Sequence, residues 1–179
     1  LHNQLEIPIL YVTHSQDETS RLADHIMLIE DGKIIGNGPI NEMLTSFEMP
    51  LSHSGDAISI FEARVISRDT YFNLMHLEFN GGQFIVPDNA LPIDSLVRIR
   101  VAARDVSITK KKQADTSILN IFPAVVEEIV PEGNAQVIVR LKLNGVVLLA
   151  CLTRKSSASL KLDKGSSVFV QVKSVAILN

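Results

Sequence analysis

Ile60-Phe61-Glu62-Ala63-Arg64-Val65 returns in the second half of the chain as Ile121-Phe122-Pro123-Ala124-Val125-Val126, and that echo decides the architecture. Outward from it, His76-Leu77-Glu78-Phe79-Asn80-Gly81 is matched by Arg140-Leu141-Lys142-Leu143-Asn144-Gly145. Both stretches end in Asn-Gly, the dipeptide of a tight hairpin turn. Further on, Val97-Arg98-Ile99-Arg100-Val101 pairs with Val168-Phe169-Val170-Gln171-Val172, and each leads through a polar pair, Arg104-Asp105 or Lys173-Ser174, to Val-Ser-Ile or Val-Ala-Ile. Three matches in the same order mark two related units. From about Ala57 onward the chain reads as short strands separated by Gly, Asn, Asp and Pro, with period-2 alternation clearest over Val168 to Val172.

Each unit carries about five short strands, a count that suits a small barrel of the oligonucleotide/oligosaccharide-binding type. The expected division is a first β repeat over 57–112 and a second over 113–179, preceded by a linker over 51–56 around Ser52-His53-Ser54-Gly55. Units of this size lie near the lower limit for independent folding, so the two must pack on each other or on a second chain. Strand edges such as Val168 to Val172 then point to a homodimer joined through the β region.

Residues 1–50 read differently. Ile7-Pro8-Ile9-Leu10-Tyr11-Val12-Thr13 is an apolar run without alternation, the pattern of a strand buried on both faces of a parallel sheet. A helix follows, with Ser15 as N-cap and Glu18 three residues on, the spacing of a capping box, and Leu22 and Ile26 continuing its apolar face. His25 to Glu30 predicts a second strand, Asp31-Gly32 a tight turn, Lys33 to Gly36 the returning strand, and Ile40 to Leu44 a short helix. The fold class expected is α+β: a short α/β tail followed by a mainly β, two-repeat barrel domain.

Composition excludes several function classes. Of 179 residues 46% are hydrophobic and 21% charged, with a net charge of -3 and a pI near 5.9, which fits a globular chain and lacks the basic footprint of a nucleic-acid binder. The Lys110-Lys111-Lys112 run reads as a solvated inter-repeat linker. The single cysteine, Cys151, lies in the apolar run Val146 to Leu152 and reads as a buried structural thiol, since one thiol builds neither a disulfide framework nor a multi-thiolate metal site. No run approaches the roughly 20 apolar residues of a membrane span. The chain opens on Leu1 immediately before a strand-like segment, which suggests a piece of a longer protein.

Tyr11-Val12-Thr13-His14-Ser15-Gln16-Asp17-Glu18, Leu22-Ala23-Asp24-His25-Ile26, Glu30-Asp31-Gly32-Lys33-Ile34 and Gly36-Asn37-Gly38 together resemble the switch-histidine end of an ABC-transporter ATPase domain. The resemblance covers Ile9 to Leu44 and implies that His14 contacts the γ-phosphate of ATP. No G-x-x-x-x-G-K-[S/T] phosphate loop is present, nor the family's signature sequence or Walker-B acidic pair. The ATP- and Mg-binding parts are therefore expected upstream of Leu1. This chain alone is expected not to hydrolyse ATP, because phosphoryl transfer depends on phosphate and Mg²⁺ positioning.

In the second repeat, Thr116-Ser117-Ile118-Leu119-Asn120, Leu152-Thr153 and Lys173-Ser174 are ordinary turn residues one by one. As a set they resemble the molybdate-binding repeat of the TOBE family, over Ser117 to Ile177. The resemblance implies oxyanion ligation by Ser117, Thr153, Lys173 and Ser174, and molybdate or tungstate as regulatory ligand. Leu119 stands where the family often has Arg, so one cationic contact is missing. The chemistry agrees: a tetrahedral dianion carries only acceptors, so its site needs hydroxyls, N–H groups and an ammonium. In the first repeat Arg104-Asp105 replaces Lys173-Ser174, and an aspartate there repels a dianion, so that unit reads as structural or as a degenerate site.

These resemblances imply the C-terminal regulatory part of the ATPase subunit of a molybdate or tungstate importer, with a membrane permease subunit as partner. The full complex is then peripheral on the cytoplasmic face of the inner membrane. Two alternatives remain open at this point: the tail of a sugar, polyamine or iron importer's ATPase subunit, and a stand-alone molybdate storage or sensor protein.

Overall fold

The computed structural model describes residues 7–52 and 57–178. The chain is mainly β with a few short helices. In chain order it forms α1 (Gln16–Leu22), β1 (His25–Glu30), β2 (Lys33–Pro39), α2 (Ile40–Thr45), β3 (Ile58–Asp69), β4 (Leu74–Phe79), β5 (Gly82–Pro87), β6 (Leu96–Ala102) and β7 (Val106–Thr109). It continues with β8 (Asn120–Glu132), β9 (Gln136–Leu143), β10 (Val146–Thr153), α3 (Arg154–Ser159), β11 (Ser167–Val172) and β12 (Ala176–Leu178). Of the expected linker, 53–56 lies outside the described residues, and Leu51 and Ser52 complete a 3-10 turn begun at Pro50.

The N-terminal elements follow their local signals. The Ser15 hydroxyl caps α1 by accepting from the Glu18 N–H at 3.3 Å. Asp31 and Gly32, at φ 48° and 73°, make the left-handed two-residue turn that joins β1 to β2. The apolar run Ile7 to Thr13 departs from expectation. It joins no ladder among the described residues, and Leu10 and Val12 are 91% and 90% exposed. A strand buried on both faces needs neighbours on both edges, and no described segment supplies them.

The β region is two five-stranded antiparallel sheets, ordered β12-β6-β3-β4-β5 and β10-β9-β8-β11-β7. Each repeat contributes a three-stranded meander and a fourth strand that returns beside the first. The fifth strands are exchanged: β7 of the first repeat pairs with β11, and β12 of the second pairs with β6. Val168 to Val172 is therefore not an exposed edge, because β11 lies between β8 and β7.

The duplication extends to the backbone. β3 and β8 carry β-bulges at matching places, between Val65 and Ser67 and between Val126 and Glu128. Each bulge is clasped by the turn before the returning strand: Val65 N–H donates to Ser95 O and accepts at its own O from Asp94 N–H, and Val126 does the same with Ser166 and Gly165. Bulges bend a long strand and increase its local twist, and here they do so at the same place in both repeats.

One core joins the sheets. Val65, Met75, Leu77, Phe84, Ile99 and Val101 of the first pack against Val126, Val139, Leu141, Leu148 and Val170 of the second. The rings of Phe79, Phe84 and Phe122 meet with centroids 4.7 to 5.3 Å apart across this seam, within the range of favourable aromatic pairing. A second cluster places Ile26, Ile40, Met43 and Leu44 of the α/β segment on Ile58, Ile60 and Leu178.

Candidate functional site

The three residues Lys173, Ser174 and Val175 join β11 to β12. Val172 ends β11 opposite Asn120, the first residue of β8, and opposite Val106, the first of β7. Ser117 to Leu119 therefore enters the sheet at the end where Lys173 and Ser174 leave it. Ser117, Lys173 and Ser174 are all exposed, as is Leu119 at 60%. The loop is shaped locally by the Thr116 hydroxyl, which accepts from Ile118 N–H at 3.2 Å. This end of the second sheet presents two hydroxyls and one ammonium to solvent, a donor set that suits an oxyanion.

Thr153 stands elsewhere in the ladder. It pairs with Gln136, which pairs with Glu132 at the far end of β8 from Asn120. Its hydroxyl caps α3, accepting from Ser156 N–H at 3.1 Å and meeting the Ser156 hydroxyl at 2.8 Å. Thr-x-x-Ser at the end of an apolar strand was a readable capping signal for this helix.

Strand exchange adds a neighbour that the repeat alone did not reveal. Lys173 N–H donates to the Asp105 carbonyl at 2.9 Å, so the polar pairs of the two repeats lie side by side. Arg104 and Asp105 belong to a 3-10 turn, Ala103–Asp105, between β6 and β7. The carboxylate that the sequence places in the first repeat's site thus belongs to a residue touching the second repeat's site.

Asn120, part of the same predicted motif, has structural work instead. It is buried, its Oδ1 accepts from Ile85 N–H at 2.7 Å and its Nδ2 donates to Ile85 O at 3.0 Å. One side chain thereby completes the missing backbone pair between β8 of one sheet and β5 of the other.

His14 is exposed and sits between two fixed residues: Ser15 N–H donates to the Thr13 hydroxyl at 3.0 Å, and that hydroxyl donates to the Glu18 carboxylate. Cys151 is half-buried, not fully buried. Desolvation, and secondarily the Glu132 carboxylate, push its thiol above the ordinary range. Its thiolate is disfavoured, as in a structural thiol. A cleft of about 1110 Å³ between α2 and the two sheets is lined by Arg64, Arg98, Arg140, Glu62 and Glu78, among others, and contains none of Ser117, Thr153, Lys173 and Ser174. No described helix is long and apolar enough to cross a membrane.

A family model for the TOBE domain matches residues 116–178. The chain is 43% identical over 178 residues to the molybdenum import ATP-binding protein ModC of Albidiferax ferrireducens, covering 99% of this chain and 48% of that protein. It is 40% identical over 179 residues to ModC of Methylococcus capsulatus, covering 99% and 50%. ModC of Pseudomonas syringae pv. tomato is 41% identical over 181 residues, with coverage of 99% and 50%. The chain thus spans about half the length of these relatives. Among solved structures, the cytoplasmic molybdate-binding protein ModG with molybdate bound superposes with a TM-score of 0.58, at 21% identity, over 66% of this chain and 94% of that one. At that identity the likeness concerns the fold.

Proposed function

The chain is homologous to the C-terminal half of the molybdenum import ATP-binding proteins and carries a TOBE domain, and from that premise we propose that it is the regulatory, oxyanion-binding part of an ABC-transporter ATPase subunit driving molybdate or tungstate import. The observation that carries the oxyanion reading is the meeting of the Lys173-Ser174 turn with the Ser117 loop at one end of the β8–β11 ladder. Ser117, Lys173 and Ser174 form the donor set, and Thr153, at the far end of β8, lies outside it within one chain. A site of donors leaves the O–H of protonated phosphate unpaired at a cost of about 1 to 3 kcal/mol, while sulfate, an acceptor-only dianion, must be rejected by size.

In the same reading His14 is the switch histidine, and ATP and Mg are bound by the half that the relatives carry beyond this chain. Exposed Leu10, Val12, Ile29 and Ile34 supply an apolar face for that half to cover. The subunit works beside a membrane permease, peripheral to the cytoplasmic face, and dimerises through its β region.

Calorimetric titration of the chain with molybdate, tungstate, sulfate and phosphate tests the proposal. Saturable binding of molybdate and tungstate with phosphate at least tenfold weaker is expected; heats indistinguishable from dilution for all four would remove the oxyanion role.

A further inference from the structure

α1 begins one residue after Ser15 and two after His14, so whatever holds α1 sets where His14 points. Two arginines of β6 hold it. Arg98, its side chain only 17% exposed, donates from one guanidinium nitrogen to Ala23 O at 2.8 Å and Arg21 O at 3.4 Å, and from another to the Asp24 carboxylate at 2.6 Å. These carbonyls are at the C-terminal end of α1, where the helix cannot satisfy its own acceptors and a cation is favoured. Arg100 reaches Asp17, in the first turn of α1, at 2.9 Å. Residues two apart on a strand share a face, so Arg98 and Arg100 grip both ends of the helix while Ile99 between them is fully buried in the core.

The grip has a second side. β6 is paired on its outer edge with β12, Arg98 opposite Leu178 and Arg100 opposite Ala176. Only Val175 separates β12 from the Lys173-Ser174 turn. Leu178 also packs in the cluster that includes Ile26 and Ala23, at the end of α1. One strand of three residues therefore links the proposed anion site to both the arginine pair and the core beneath α1.

We propose that Arg98 and Arg100 are positioning residues that fix the switch-histidine segment from the β region, and that β12 makes their hold responsive to an oxyanion at the Lys173-Ser174 turn. The second clause rests on the oxyanion reading above. An anion drawing on Lys173 and Ser174 pulls the root of β12, and its ladder with β6 passes the shift to the helix.

Hydrogen–deuterium exchange of the chain reads this directly at Thr19 and Ala23, whose N–H groups donate to Ser15 O and Thr19 O within and at the end of α1. Arg98→Ala with Arg100→Ala should speed exchange there at least tenfold while Val139 in β9 stays unchanged; equal rates at Thr19 and Ala23 overturn the grip. Should that variant fold poorly, Arg100→Asp alone should speed exchange and Asp17→Arg added to it should restore protection, whereas no restoration overturns the pairing. Added molybdate should change exchange at Thr19 and Ala23 at least threefold in the unaltered chain and not in the double variant. No change in the unaltered chain overturns transmission, and calorimetry on the same sample separates the causes: heat of binding leaves the oxyanion site standing, and its absence shows that the site failed first.

Discussion

Lys173 carries the one full positive charge of the proposed donor set, and its place beside Asp105 gives two opposed substitutions. A charge-assisted hydrogen bond contributes about 1.5 to 3 kcal/mol, so Lys173→Ala should weaken molybdate binding roughly ten- to a hundredfold by calorimetry. Ser117→Ala, losing a neutral hydroxyl contact worth about 0.5 to 1.5 kcal/mol, should cost severalfold to about tenfold. Asp105→Asn should tighten binding severalfold, because it removes a negative charge from the residue whose carbonyl holds Lys173 N–H. Opposite signs at Lys173 and Asp105 mark an anion site, and equal signs would argue for a purely structural turn. Asn120 belongs to stability instead: Asn120→Ala strips Ile85 of both hydrogen bonds and should lower unfolding free energy by about 2 to 3 kcal/mol in urea titration. Cys151 has a folded-state pKa raised by burial and by Glu132, so the neutral thiol is the form the fold prefers. Its stabilising contribution is present below the ordinary thiol pKa and is lost as pH rises through the raised one. Labelling by a thiol reagent near pH 8 should therefore be slower in the native chain than in the urea-unfolded chain.

Among the described elements, β12 is the shortest strand, yet it ties the Lys173-Ser174 turn to β6 and to the cluster beneath α1. Leu178→Ala removes a nearly buried side chain from the cluster beneath α1 and should cost about 2 to 4 kcal/mol, with faster amide exchange in β6 as the local sign. What could be read ahead of the structure was whatever depends on neighbours in sequence. Ser15 capping Glu18, the Asp31-Gly32 turn and the Asn144-Gly145 turn, at φ 45° and 95°, are local chemistry written in one or two residues. The repeat was legible because its matches keep their order. The exchange of β7 and β12 was not, since alternation tells which face of a strand is buried and says nothing about which strand lies at its edge. Val106-Ser107-Ile108 and Val175-Ala176-Ile177 alternate identically whether they pair at home or across. The same gap explains Ile7 to Thr13, whose apolar pattern states a need for burial without naming what provides it. At the site, the polar pair Lys173-Ser174 was visible as a departure from alternation, but its neighbour Asp105 and the grip of Arg98 and Arg100 are products of tertiary pairing.

For the molecule as a whole, exchanged strands make each sheet depend on both repeats. Without the second repeat, β6 loses β12 and β7 loses β11, leaving open edges on units already near the lower size limit for folding alone. The aromatic seam adds to this dependence, because Phe122 from β8 sits against Phe79 and Phe84 from the other sheet, and any Cβ placed on Gly82 would approach the Phe122 ring at 3.1 Å. The β region should therefore unfold as one unit, with calorimetric and van't Hoff enthalpies in agreement. Phe84→Ala, which opens a cavity in the first sheet, should cost about 3 to 5 kcal/mol and lower the transition of both sheets equally, as read by exchange at Val101 and Val139. A segment over 57–112 made by itself should show no cooperative transition. Two separate transitions, or a Phe84→Ala effect confined to the first sheet, would mean that the exchanged strands are appendages to two self-sufficient barrels, and a conformational signal starting at Lys173 would then stop at the edge of the second.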